Sequence, residues 1–292
     1  MTLAEFLAWA RGCFRDYGIQ NPALNAELLL AHCLNLGREG LYIHLQDPIE
    51  EREKKALEEL IKRRVSGEPL QYILGHQEFW SVDLRVDPSV LIPRADTEIL
   101  VEQALRVLSK ISLERLPSVL EVGTGSGAIA IALAREVAPI FLLATDISRE
   151  ALLIARQNAQ ESGVSEKIQF IQGDLFGAFR LVEGKEPFDL ILSNPPYIVR
   201  SEIERLAREV KNFEPALALD GGEDGFDFHR AIISQSPKYL RRGGWLLLEV
   251  GQGQTRGVSE MMEKMKIFYP SEGIQDLSGI ERVVKAQKKN GE

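Results

Sequence analysis

Apolar residues recur every three or four positions through roughly the first 68 residues, and the spacing then changes twice. Leu3, Phe6, Leu7 and Ala10 mark one amphipathic helix. Leu24, Leu28, Leu29 and Leu34 mark a second, and Ile49, Leu57, Leu60 and Ile61 a third. Asn21-Pro22 reads as an N-cap followed by proline at the first helical position, and Asp47-Pro48 repeats the signal. Gly67-Glu68-Pro69 closes the stretch, so residues 1–68 are expected to form a bundle of three to five helices. From Phe79 to Val86 apolar and polar residues alternate singly, as in a half-buried strand. Asp87-Pro88 turns that strand, and Val90-Leu91-Ile92 is expected to return beside it. Residues 69–95 therefore read as a β-hairpin linker. Pro93-Arg94-Ala95-Asp96-Thr97-Glu98 then enters a helix that ends near Leu108.

From Ser118 onward short apolar runs alternate with helical patterns. Strands are expected at 119–122, 140–145, 168–172, 188–193 and 245–250, with helices at 128–135, 150–163 and 226–240. A last helix and one or two strands, including Arg282-Val283-Val284-Lys285, finish the chain. Runs of this kind belong inside a sheet covered on both faces, and repeated strand–helix units give parallel pairing. Residues 96–292 are expected to form one such α/β domain. The polar tail after Lys285 is expected to fray.

Composition narrows the function more than the fold. A length of 292 residues favours about two domains. The formal net charge of -8 argues against generic nucleic-acid binding, which rests on Lys and Arg neutralising phosphates. An acidic protein better suits a basic partner. Cys13 and Cys33 fall in apolar helical patterns and the four histidines are scattered, so neither a disulfide nor a metal site is expected. The N-terminus lacks the basic region of a signal peptide, and no apolar run approaches the roughly 20 residues of a membrane span. A cytoplasmic monomer with no membrane partner and no stable nucleic-acid partner is the expectation.

Asn194-Pro195-Pro196-Tyr197 follows the apolar run 188–193 and so sits at the carboxyl end of a strand, where open α/β sheets place their ligands. The Asn194 side-chain oxygen can accept one N–H of a planar NH2 group, and a backbone carbonyl in the turn can accept the other. Both prolines lack an N–H, so the turn offers acceptors and few donors. Tyr197 can lie against the flat face of the bound group. Asn-Pro also opens ordinary turns. The rest of the domain decides between the two readings.

Gly123-Thr124-Gly125-Ser126-Gly127 joins the first strand of the domain to its helix. Its glycines let backbone approach a ligand closely, and the helix N-terminus behind them offers free N–H groups. Residues 125–130 also fit a dinucleotide fingerprint, so a nicotinamide or flavin site is an alternative. Asp146 ends the next strand, where a carboxylate accepts from both ribose hydroxyls of a nucleoside. Asp174 ends the third strand and can accept an adenine amino group, with Leu175 or Phe176 packing on the ring. A helix N-cap is the structural alternative for Asp174. Two features favour S-adenosylmethionine. Glu121 precedes the glycines, where its carboxylate can meet a methionine ammonium, and Asn194 lies across the switch point from the loop.

Taken together these residues resemble the release-factor glutamine methyltransferases, the PrmC/HemK family. The match also takes in Pro69 to Gly75 with Phe79, Leu91-Ile92-Pro93-Arg94, Leu219 to Gly225, Glu249-Val250-Gly251-Gln252-Gly253 and Asp276 to Arg282. The resemblance implies a helical N-terminal domain that helps hold a protein substrate. It implies a class I S-adenosylmethionine-dependent methyltransferase domain, Rossmann-like, with a mostly parallel seven-stranded sheet whose last strand is antiparallel. It also implies cofactor contacts at Gly123 to Gly127, Asp146 and Leu175, and substrate contacts at Asn194 through Tyr197. The implied partner is a bacterial peptide-chain release factor, methylated on the glutamine of its Gly-Gly-Gln motif, with no metal. Glu121 stands where Asp is common, Leu175 where an aromatic residue is frequent, and Ala95-Asp96 replaces the usual Pro-Glu. A ribosomal-protein glutamine methyltransferase and an adenine-N6 DNA methyltransferase share the same active-site logic and remain rivals.

Overall fold

A computed structural model describes residues 1–111, 116–178 and 187–290. The chain divides into two units, Met1–Gly75 with Ala207–Phe213, and His76–Leu206 with Glu214–Glu292.

The first unit is helical: α1 (Leu3–Asp16), α2 (Pro22–Cys33), α3 (Arg38–Ile43), α4 (Glu51–Val65) and α5 (Leu70–Leu74). Phe6, Phe14, Leu29, Leu30, Leu41, Leu57 and Ile73 form its core. Helix α5 carries the helical run past residue 68, where the spacing alone had ended it. Two start signals work differently from the sequence expectation. Asn21 stands before α2 in the left-handed region, and its side chain makes no capping bond. The Asn25 amide instead donates to the carbonyls of Gln20 and Asn21 at 3.0 and 3.2 Å. Asp47-Pro48 caps nothing. The Asp47 carboxylate lies 2.7 Å from His44 Nδ1, its carbonyl accepts from Leu3, and α4 starts at a Glu50–Glu53 capping box.

The second unit opens with a hairpin, β1 (His76–Phe79) and β2 (Val82–Arg85). The single strand expected from Phe79 to Val86 is thus broken at Trp80-Ser81, both with positive φ. A two-residue turn of this hand usually takes Asn-Gly, so the sequence carried no signal for it. Glu98 accepts from the Trp80 backbone at 2.9 Å and Glu136 from its indole at 3.0 Å, which holds the turn. Val90 and Ile92 are buried in irregular backbone rather than in a returning strand.

The remaining elements are α6 (Glu98–Leu108), β3 (Ser118–Val122), α7 (Ala128–Glu136), β4 (Phe141–Asp146), α8 (Arg149–Glu161), β5 (Ile168–Gln172), β6 (Phe188–Ser193), α9 (Arg208–Phe213, in the first unit), α10 (Asp227–Gln235), β7 (Leu240–Glu249), α11 (Thr255–Lys264), β8 (Glu272–Gln275) and β9 (Glu281–Gln287). Seven strands form one sheet in the order β5-β4-β3-β6-β7-β9-β8. Only β9 runs against its neighbours. Successive side chains on a strand face opposite ways. Val119, Leu142, Leu190 and Leu192 pack with α6 and α7, whereas Leu120, Val122, Ile191 and Leu248 pack with α10 and α11. The order reverses between β3 and β6, and the carboxyl ends of β3, β4, β5 and β6 open toward the same crevice.

The end of the chain does not fray at Lys285. Strand β9 continues to Gln287, Ala286 is buried, and the Lys288 ammonium donates to the carbonyls of Pro237 and Leu240 at 2.6 and 2.8 Å. A buried ammonium must be fully hydrogen-bonded, and those carbonyls supply the partners. Residues 291–292 of that tail lie outside the described residues. Among the described residues no helix is long and apolar enough to cross a membrane.

Candidate active site

A cavity of about 530 Å³ lies over the strand ends. Its wall includes Gly123 to Ser126, Asp146, Asp174, Leu175, Asn194, Pro195 and Pro196. Most of the residues singled out from the sequence are thus brought together from four strand ends. Four are not in the wall: Glu121, Gly127, Phe176 and Tyr197.

The glycine loop is held by β4. Gly123 and Thr124 donate to the Thr145 carbonyl at 2.8 and 2.9 Å, and Gly125 donates to Asp146 Oδ2 at 2.8 Å. Asp146 Oδ1 accepts from the Ser148 backbone at 2.9 Å. Burial pushes the Asp146 carboxyl above its usual range, and the bonds from Ser148 and Gly125 oppose that rise. A carboxylate has about four acceptor sites. Gly125 of the loop and the Ile147 and Ser148 backbone beyond β4 use part of that capacity. A Cβ built at Gly125 would meet nothing within 4 Å, so the loop leaves open space on its cavity side. That cradle, the carboxylate beside it and the cavity volume fit a nucleoside cofactor, whose sites span roughly 300–1,000 Å³.

Glu121 lies outside the cavity wall. It shares the face of β3 that carries Val119, toward α7, while Val122 faces the cavity. Its carboxylate is buried under the loop and accepts from the Thr124 hydroxyl at 2.8 Å. Oε1 has no hydrogen-bond partner among the described residues, and burial pushes the carboxyl up to about 8. Glu121 is therefore placed to support the loop from behind.

That burial has a consequence for stability. Glu121 rises to about 8 and Glu249 to about 7, both by burial. The folded state then binds more protons than the unfolded state above the ordinary carboxylate range. The stability these groups contribute is full below that range and is lost as pH rises through about 7 and 8. Glu121→Gln keeps an acceptor for Thr124 and removes the buried charge. Its Tm in the cofactor-free protein is expected to exceed the wild type at about pH 9 and to match it at about pH 5. Equal melting curves at the alkaline end would remove the buried charge from the account.

Asn194 is fixed by a residue the motif did not point to. Its Nδ2 donates to the Thr97 hydroxyl at 3.2 Å, which leaves Oδ1 as the free end of the amide. Thr97 is buried at the N-terminal end of α6 and also lines the cavity. Glu249, at the end of β7, is 2 % exposed.

Tyr197 turns away from the cavity. Its hydroxyl is 3.5 Å from Glu249 Oε1, and its ring packs against Gly251. Burial first, then the Glu249 charge, pushes its hydroxyl pKa up. Its carbonyl accepts from Gln254 Nε2 at 2.9 Å, while Gln254 Oε1 accepts from Gly251. The Asp220–Gly225 loop, unassigned from sequence, braces the same residue. Ile198 donates to the Leu219 carbonyl at 3.0 Å and Gly221 donates back to the Ile198 carbonyl at 2.8 Å. A Cβ on Gly221 would sit 2.7 Å from the Tyr197 Cα and carbonyl carbon. Backbone faces backbone there, so no side chain can rotate away. Gly221→Ala is expected to cost about 1–3 kcal/mol of stability and to lower turnover through a displaced Pro195–Tyr197 turn. A thermal melt and a rate measurement check both, and wild-type values would show that the turn tolerates the shift.

Ile147 and Phe228 line the cavity without having been noticed. Ile147 is an apolar residue directly after the strand-end Asp146 and stays half exposed. Its position was the one available signal.

The sheet order with its single antiparallel strand, and a glycine loop facing Asp146 across one crevice, define the class I methyltransferase fold. Residues 119–213 match a methyltransferase domain family, and residues 5–75 match the PrmC N-terminal domain. Solved structures with this fold include human methyltransferase 10 domain containing protein, at TM-score 0.54 and 15% identity, covering 73% of this chain and 90% of that one. Another is the hMettl16 catalytic domain in complex with MAT2A 3'UTR hairpin 1, at TM-score 0.57 and 14% identity, covering 87% and 85%. The release factor glutamine methyltransferase of Geobacter sulfurreducens is 42% identical over 97% of this chain and 95% of its own length. That of Koribacter versatilis is 41% identical over 99% of each. This chain belongs to the release factor glutamine methyltransferase family.

Proposed function

We propose that the protein transfers a methyl group from S-adenosylmethionine to the side-chain amide nitrogen of the glutamine in the Gly-Gly-Gln motif of a bacterial release factor. One observation carries the reading: Asn194, with its Nδ2 donating to Thr97, lines the same cavity as residues 123–126 of the glycine loop and Asp146. When bound, S-adenosylmethionine supplies an electrophilic methyl on a sulfonium. Asp146 would accept from the ribose, the loop backbone would follow the methionine portion, and Ile147 and Leu175 would flank the adenine with Asp174 at its edge.

Asn194 Oδ1 accepts one N–H of the substrate glutamine, and the Pro195 carbonyl accepts the other. An amide nitrogen is a poor nucleophile because its lone pair is delocalised into the carbonyl. The nitrogen gains positive charge as it attacks, so both acceptors hold the transition state more tightly than the ground state. The extra proton leaves the nitrogen after transfer, and attack needs no base. Pro195 and Pro196 keep competing N–H donors out of the turn. Tyr197 anchors the turn from behind. Residues 96–292 carry the chemistry, the hairpin of residues 69–95 links, and the helices of residues 1–68 hold the release factor.

The test is transfer of labelled methyl to a purified bacterial release factor, with a ribosomal protein and duplex DNA alongside. Label on the release factor alone supports the reading. Label on DNA alone would make the Asn194 site an adenine-amine site.

A further inference from the structure

The charged groups of the cavity wall fall at opposite ends. Asp146, Glu150 and Asp174 line it at or just after the ends of β4 and β5. Among the described residues Arg94 is the only lysine or arginine in the wall, and it belongs to the other end. Thr97, three residues on, donates its backbone N–H to the Arg94 carbonyl at 3.1 Å. The Thr97 hydroxyl in turn accepts from Asn194, just after β6, at 3.2 Å. The sheet order sets β5 and β6 three strand spacings apart, about 14 Å.

Arg94 is held at that end by a carboxylate outside the wall. Glu214 is buried, and its Oε1 accepts from Arg94 Nη2. Burying a carboxylate is costly unless a cation or hydrogen bonds meet it, and here a cation does. The residues that follow it, Pro215, Leu217 and Ala218, return to line the cavity. An arginine carries five N–H donors in a rigid fork, enough for two carboxylates at once. The Arg94 side chain stays 42 % exposed, so Glu214 does not enclose it.

S-adenosylmethionine has a matching polarity. Its ribose hydroxyls and adenine amine are donors and suit the acidic end. Its methionine end carries a carboxylate, which the acids would repel and a cation would attract. The N–H groups of the glycine loop offer that carboxylate hydrogen bonds but no net charge. We propose that Arg94, held by Glu214, binds the α-carboxylate of S-adenosylmethionine. The inference rests on the cofactor reading above and extends it to the methionine end.

The experiment is calorimetry with two probes, S-adenosylmethionine and its decarboxylated form, which keeps the adenosine, the sulfonium, the methyl and the terminal amine. The ratio of the two affinities isolates the carboxylate. Arg94→Gln removes the cation beside the buried Glu214 and is expected to lower stability. Pairing it with Glu214→Gln removes both charges together, so the test does not depend on the single variant folding well. The wild type is expected to prefer S-adenosylmethionine by about 10- to 100-fold, the range for a charged hydrogen bond. The single and double variants are expected to lose that preference while binding the decarboxylated form about as well as the wild type. A preference retained in either folded variant would overturn the proposal and give the carboxylate to the loop N–H groups. Equal affinity of the wild type for both probes would overturn it as well. A wild type that binds neither probe would instead sink the cofactor reading beneath it.

Discussion

Asn194→Ala is expected to lower kcat by about 10²–10³-fold, the loss seen when one preorganised partner of a developing charge is removed. The loss belongs in kcat because the acceptor gains strength only as the amide nitrogen becomes positive. Binding of the cofactor should change little, since the Gly123–Gly127 loop and Asp146 stand on other strands. The release factor should bind nearly as well, because one amide contact is a small part of a protein interface. Steady-state kinetics with a release factor as substrate checks the split. Unchanged turnover would remove Asn194 from the chemistry. A rise in KM alone would make it a binding residue.

Asp146→Ala is expected to weaken S-adenosylmethionine binding by about 1.5–3 kcal/mol, the range for a hydrogen bond involving a charged group. The structure adds a second cost that the sequence did not show. Asp146 also accepts from the Gly125 and Ser148 backbone, at 2.8 and 2.9 Å. Truncation removes the ribose contact and leaves the loop amide without its partner, so the upper end of that range is expected. Asp146→Asn separates the two effects. Its oxygen can still accept from Gly125, and what it loses is the charge. Calorimetry should therefore rank the wild type above Asp146→Asn and Asp146→Ala last. Equal affinities across the three would show that the nucleoside is held elsewhere.

Strands were the most legible part of the chain. The runs at 168–172 and 188–193 match β5 and β6 to the residue, β6 being buried along its whole length and β5 only at Ile168. Strand ends then located most of the site, since Asp146, Asp174 and Asn194 follow directly from where those runs stop. What could not be read was the direction of a side chain just before or after a turn. Glu121 and Val122 are neighbours, and the pleat sends one under the loop and the other to the cavity. Tyr197 likewise turns inward because Gly221, Gly251 and Gln254 surround it, and no local pattern records that. Thr97 carried no signal either, and its bond to Asn194 exists only once the fold brings residues 97 and 194 together. Trp80-Ser81 shows the same limit in the hairpin, where Glu98 and Glu136 hold a turn that propensity would refuse.

The central claim is that one particular nitrogen receives the methyl group. Tandem mass spectrometry of a release factor incubated with the protein and S-adenosylmethionine tests it most directly, with a Gly-Gly-Ala variant of the factor as control. The expected result is a single added methyl on the side-chain nitrogen of the Gly-Gly-Gln glutamine, absent from the control. A methyl found on any other residue, or persisting in the Gly-Gly-Ala factor, would contradict the assignment of Asn194 and Pro195 to a glutamine amide.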